Sequence, residues 1–140
     1  MTEPLSVTLL DTDTLSAIMR RHPVAQATAH TYLVQHQRWT ISQITRYEIL
    51  RGLYAKRATT QLLAFNRLCA VSHVLPLSDE IIMDAAQLYG VLHREGTLIG
   101  DADLLIAATA RVHRLVLATN NTRHFQRITD LSIVNWLDLP

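Results

Sequence analysis

Four oxygen-bearing side chains mark where chemistry is concentrated in this sequence: Asp11, Glu48, Asp103 and Asn121, with Asp101 beside the third. Carboxylates gathered without imidazole or thiolate partners suit hard ions such as Mg²⁺ or Mn²⁺, which take oxygen ligands and keep several waters. Ions of that kind bridge acids to phosphate oxygens, activate water and stabilise a leaving oxygen, which is the chemistry of phosphodiester hydrolysis. Zinc chemistry is disfavoured: none of the seven histidines has a paired zinc spacing, and the single cysteine, Cys69, excludes a thiolate site. The sequence holds no Walker loop, no GxGxxG and no GxSxG.

Each acid also has a structural explanation. Asp11 follows Thr8-Leu9-Leu10 and can cap a helix or form a turn. Glu48 lies four residues after Ile44, at the edge of an apolar stripe, where it is either exposed or turned inward toward a cation. Asp101 and Asp103 open the run Leu104-Leu105-Ile106-Ala107-Ala108, where the helix dipole favours acids, and Asp101 is the more natural cap.

Short apolar runs alternate with amphipathic stretches. Strands are expected at Val7 to Leu10, Trp39 to Ile41, Val74 to Leu77, Leu115 to Ala118 and Ser132 to Val134. Helices are expected from near Thr14 to before Pro23, from Val24 to about Gln37, after Ser42, from Thr59 to Val71, after Ser78 as far as Gly96, and from Asp101 to Val112. The spacing predicts that Ile44, Tyr47, Leu50 and Tyr54 form the apolar face of the third helix, and Ile81, Ile82, Ala85, Leu88, Tyr89 and Leu92 that of the fifth. Strands separated by helices predict an α/β domain with a mainly parallel sheet, whose ligands sit at the carboxyl ends of the strands. Asp11-Thr12-Asp13-Thr14 and Thr119-Asn120-Asn121 both occupy such ends.

Asp11-Thr12-Asp13-Thr14-Leu15 nearly spells the DxDx[T/V] nucleophile motif of haloacid-dehalogenase-like phosphatases. Those enzymes need a late lysine, and the only lysine here is Lys56; the fifth motif position is Leu15 rather than Thr or Val. The missing lysine also counts against a response-regulator receiver.

Four segments in order resemble the PIN-domain ribonucleases of the VapC toxin type. They are Leu9-Leu10-Asp11-Thr12-Asp13, Ser42 to Gly52 around Glu48, Gly100 to Ala108 around Asp103, and Ala118-Thr119-Asn120-Asn121-Thr122-Arg123-His124-Phe125, with Val134-Asn135-Trp136 at the end. The resemblance spans nearly the whole chain. It implies a single PIN-like domain over 1–140, a five-stranded parallel sheet flanked by helices, and a homodimer. It also implies Mg²⁺- or Mn²⁺-dependent cleavage of RNA leaving 5′-phosphate and 3′-hydroxyl ends, and an antitoxin partner that inserts a basic side chain among the acids. By motif position the acids are Asp11, Glu48 and Asp103, and the fourth falls on Asn121, which brings no charge. Asp101 is a substitute ligand or only a helix cap. Thr119 matches the family's small hydroxyl residue, a water-orienting group, and Asp13 is expected to support the Asp11 turn. An idle domain acting as an interaction module, or a housekeeping RNA-processing nuclease, fits the same pattern.

Composition agrees with one globular domain: 140 residues, 49% hydrophobic and 18% charged. The net charge of +1 does not announce a nucleic-acid binder, so a polyanion would be held by a local basic patch or by metal. Twelve of the 13 basic residues are arginine, which suits phosphate but also reflects genome composition. Arg20, Arg21, Arg46, Arg51 and Arg57 are candidates for an RNA-guiding rim. Cys69 lies in an apolar run and reads as a buried small hydrophobe. Met1 to Ser6 lack a signal-peptide pattern and no apolar run approaches a bilayer span, so a cytoplasmic protein is expected.

Overall fold

The structure is a computed structural model that describes residues 4–138; the first three residues and last two of the expected 1–140 domain lie outside the described residues. The elements are β1 (Thr8–Leu10), α1 (Thr12–Met19), α2 (Pro23–His36), β2 (Thr40–Ser42), α3 (Gln43–Ala55), α4 (Thr59–Ala70), β3 (His73–Leu75), α5 (Asp79–Glu95), α6 (Asp101–His113), β4 (Val116–Ala118), α7 (Thr122–Phe125) and β5 (Ile133–Val134).

The five strands form one sheet in the order β3-β2-β1-β4-β5, with every pair parallel. All three residues of β1 are buried, because alternate side chains feed two cores. Leu10 joins Ile41 and Ala118 on one face, under α1 to α4, together with Tyr32, Phe65 and Trp136. Leu9 joins Leu117 on the other, with Leu88, Leu104, Ile106 and Phe125 from the later helices. The chain steps from β1 to β2 and β3 on one side, then crosses β1 to reach β4 and β5. The strand order therefore reverses between β1 and β4, and a crevice opens there at the carboxyl ends.

Two predicted helix faces are rotated. Tyr47 and Tyr54 are 55% and 64% exposed, whereas Thr45 and Ile49 are buried. The cause is the cap: Ser42 Oγ accepts from the Thr45 N–H at 3.2 Å, which ties the start of α3 to the end of β2 and turns Thr45 toward the sheet. In α5 the buried line is Ile81, Ala85, Leu88 and Leu92, while Ile82 and Tyr89 face out. Helix α1 begins at Thr12 rather than near Thr14, because Asp11 is its cap. The single turn α7 is an addition to the predicted elements. Cys69 is a buried free thiol, as expected. Among the described residues no helix is long and apolar enough to cross a membrane.

Candidate active site

Asp11 closes β1 and caps α1, so both sequence readings of it hold together. Its Oδ1 accepts from the Thr14 N–H at 2.8 Å, and its own N–H donates to the Ala118 carbonyl of β4 at 3.0 Å. The Thr14 hydroxyl donates to that same carbonyl at 3.1 Å. These bonds pin the carboxylate over the reversal point. Burial pushes the Asp11 carboxyl above its ordinary range, hydrogen bonds from Thr119 and Thr14 oppose this, and the charge of Asp13 adds to the rise.

Glu48 reaches the crevice from α3. Its Oε1 accepts from the Thr12 hydroxyl at 2.6 Å, and the buried Thr45 hydroxyl lies 3.1 Å from Thr12 Oγ1. Its Oε2 is 3.5 Å from Arg51 Nη2. Glu48 is thus turned inward and held by two side chains.

Asp103 comes from the first turn of α6, whose N-cap is Gly100 without a side-chain cap bond. Its carboxyl is pushed up to about 6, first by burial, then by the charges of Asp11, Glu48 and Asp13, with His124 opposing. That dependence is the electrostatic signature of convergence: three acids from three elements share one field. Asp101 does not join them. Residues two apart on a helix point about 200° away from each other, and Asp101 is exposed, lining a groove with Tyr89, Leu104 and Leu105 on the α5 side. Asp13 is exposed, yet its charge reaches both Asp11 and Asp103.

Beyond β4, Thr119 is fully buried. Its hydroxyl bonds the Asp11 carboxylate and accepts from the Asn121 N–H at 3.0 Å. The Asn121 amide Nδ2 lies 2.8 Å from His124 Nδ1 across the turn of α7. Phe125, 1% exposed, anchors that turn in the core. Thr12, Thr45 and His124 were not singled out from the sequence. Thr12 and Thr45 belong to the same motif segments as Asp11 and Glu48, but only the fold makes them neighbours.

Of the candidate basic rim, Arg20 lines a groove of about 370 Å³ with Thr12, Glu48 and Lys56, and Arg51 touches Glu48. Arg46 instead turns to Asn66, with Nη2 donating to Oδ1 at 3.2 Å. Arg21 and Arg57 sit at positive φ, 63° and 53°, beyond α1 and α3.

Among the described residues no three or more His, Cys, Asp or Glu side chains stand together as a group that could hold a metal ion by themselves. The donor set is open and made only of oxygens, with mutual repulsion that a cation relieves. Mg²⁺ keeps several waters and takes one or two carboxylates directly, so this set fits such an ion. Imidazole- or thiolate-bound metals do not fit it.

Comparison with known proteins agrees with this geometry. Residues 8–131 match the PIN domain family. Ribonuclease VapC1 of Haemophilus influenzae (strain R2866) is 31% identical over 129 residues, covering 91% of this chain and 96% of the relative. The tRNA(fMet)-specific endonuclease VapC of Salmonella typhimurium is 30% identical over the same shares. Among solved structures, VapBC-1 from nontypeable Haemophilus influenzae superposes with a TM-score of 0.82 at 30% identity, covering 94% of this chain and 98% of that one. DNA-bound VapBC from Salmonella typhimurium gives a TM-score of 0.83 at 28% identity, covering 94% and 99%. A five-stranded parallel sheet, an acid trio at its reversal point and a match over most of the length agree: this chain belongs to the PIN-domain family, among the VapC ribonucleases.

Proposed function

We propose that this protein is a divalent-metal-dependent endoribonuclease and the toxin of a toxin–antitoxin pair. The observation that carries the reading is the shared field of Asp11, Glu48 and Asp103, which raises Asp103 to about 6 in a solvent-open crevice. The relatives named ribonuclease VapC and the VapBC complexes support the activity and the antitoxin partner.

Asp11, Glu48 and Asp103 would hold Mg²⁺ or Mn²⁺. When bound, such an ion supplies positive charge to the phosphate oxygens and acidifies water. The remaining work falls to the chain itself. Thr12 and Thr14 fix the directions of the Glu48 and Asp11 carboxylates. Thr119 sits between Asp11 and the Asn121 backbone, placed to orient a water. Asn121 offers amide hydrogen-bonding capacity where a fourth acid would add charge, and His124 fixes its position. Asp103, once ionised, would complete the negative charge of the carboxylate set that holds the cation. Arg20 and Lys56 give an approaching phosphate backbone a cationic lining. RNA as substrate, a homodimer and a cytoplasmic location belong to the same reading.

A second reading, an idle domain that serves as an interaction module, is favoured by one observation: the amide Asn121 stands at the fourth acidic place. An RNA cleavage assay separates the two. Cleavage that requires added Mn²⁺ or Mg²⁺ and stops with EDTA supports the nuclease. Cleavage indifferent to EDTA removes the metal site, and no cleavage with either ion leaves the module.

A further inference from the structure

Tyr47 is the residue whose placement least fits a structural role. It directly precedes Glu48, its ring is 55% exposed on α3, and Ile49 on the same helix is buried. The Arg51 guanidinium carbon lies 5.4 Å from the centre of the Tyr47 ring, while Arg51 Nη2 lies 3.5 Å from Glu48 Oε2. One guanidinium thus lies over one face of an exposed aromatic ring and contacts an acid of the candidate active site.

We propose that Tyr47, backed by Arg51, is a stacking platform for an unpaired base of the RNA next to the cleaved bond. This rests on the nuclease reading and names the form of RNA it takes. A tyrosine face accepts any base by stacking. A guanidinium can bind phosphate and stack at once, and its positive charge complements the RNA backbone beside an otherwise acidic centre. In a duplex the bases are stacked inside and unavailable to such a ring, so the platform selects single-stranded loops or ends. The groove lined by Arg20, Lys56 and Glu48 meets this pair only through Glu48, since neither Tyr47 nor Arg51 lines it, and Gly52 in its lining leaves open space where a side chain would stand. A protein surface is the competing occupant, since exposed Tyr and Arg also serve protein contacts. The direct contact with Glu48 favours the nucleotide.

The test is binding of a short labelled single-stranded RNA carrying 2-aminopurine, measured by anisotropy and by quenching of that base. Asp103→Asn serves as parent so that the RNA stays intact. Adding Tyr47→Ala is expected to weaken binding about tenfold, within the range of one base–aromatic stack, and to abolish the quenching. Tyr47→Trp restores both, and Tyr89→Ala on α5 changes neither. Equal affinity and quenching for the parent and the Tyr47→Ala form overturns the proposal. So does a loss accompanied by dissociation of a dimer in size-exclusion chromatography, or by loss of antitoxin binding with RNA binding intact; either assigns the face to protein. A wild-type chain that cuts RNA while Tyr47→Ala binds normally removes only the platform. A wild-type chain that never cuts but loses RNA binding with Tyr47→Ala removes only the nuclease reading.

Discussion

The Thr12 hydroxyl donates to Glu48 Oε1 at 2.6 Å, joining α1 to α3 across 36 residues of sequence. The bond fixes which way the Glu48 carboxylate faces, and it comes from the residue next to Asp11. Two acids are therefore registered against each other by a neutral side chain. Groups that orient a metal-binding carboxylate are worth about 10- to 100-fold in metal affinity or activity.

Replacing Thr12 by Val keeps its shape and removes the hydroxyl. The expected result is a loss of RNA cleavage of about 10-fold or more with little change in melting temperature, and Thr12→Ser restores most of the rate. Kinetics at saturating Mn²⁺ beside thermal unfolding checks this. Full activity in Thr12→Val would make the bond incidental.

Asp103 gives a pH dependence whose sign is fixed. Its carboxyl is raised from 3.8 to about 6, so the folded state holds the proton more tightly than the unfolded chain. The stability this adds is fully present below about pH 4 and is lost as pH rises through about 6. In metal-free protein, Asp103→Asn is thus expected to melt above wild type at about pH 7, with the gap closing toward pH 4. Mn²⁺ competes with the same proton, so its affinity for wild type rises as pH climbs through about 6. Melting curves and Mn²⁺ titrations across that window check both, and a gap that widens toward low pH would reverse the assignment.

Asn121, proposed to stand at the fourth acidic position of the family pattern, has its Nδ2 2.8 Å from His124 Nδ1. Restoring charge with Asn121→Asp is expected to lower the Mn²⁺ concentration for half-maximal cleavage about tenfold, because hard cations respond to the count of charged oxygens. An unchanged metal requirement would show that position 121 lies outside the cation's reach.

Phe125 holds α7, and with it Asn121 and His124, against the core at 1% exposure. Truncation to Ala should cost about 3–5 kcal/mol, the usual range for a buried aromatic. Denaturant unfolding checks it; a cost below about 1 kcal/mol would mean that the turn is not anchored there.

Much of this molecule was legible in the sequence. The short, mostly apolar runs at Val7 to Leu10 and Leu115 to Ala118, separated by helices, announced a mainly parallel sheet, and the polar clusters after them marked the carboxyl ends. Ser42 and Ser78 were readable as caps because the side chain that starts a helix is a local feature. The phase of α3 was not readable. Its two candidate stripes differ by one position, and the apolar count favoured Tyr47 and Tyr54, whereas the buried stripe contains Thr45. Threonine reads as polar until the fold supplies a hydroxyl partner, here Thr12. The same limit hid Thr12 and His124, whose partners stand across a fold or a turn. Asp101 read as the more natural cap and Asp103 as the third acid; helical geometry separates them, and Asp103 carries the charges of Asp11 and Glu48.

The most direct measurement is single-turnover cleavage of a single-stranded RNA with Mn²⁺ by wild type, Asp11→Asn, Glu48→Gln and Asp103→Asn, each confirmed folded by its melting curve. Three acids acting as one cation site predict that every substitution lowers the rate by at least about 100-fold, and that the pairwise combinations add little further loss. Cleavage near the wild-type rate by any one of the three, in a folded protein, would contradict a shared carboxylate centre.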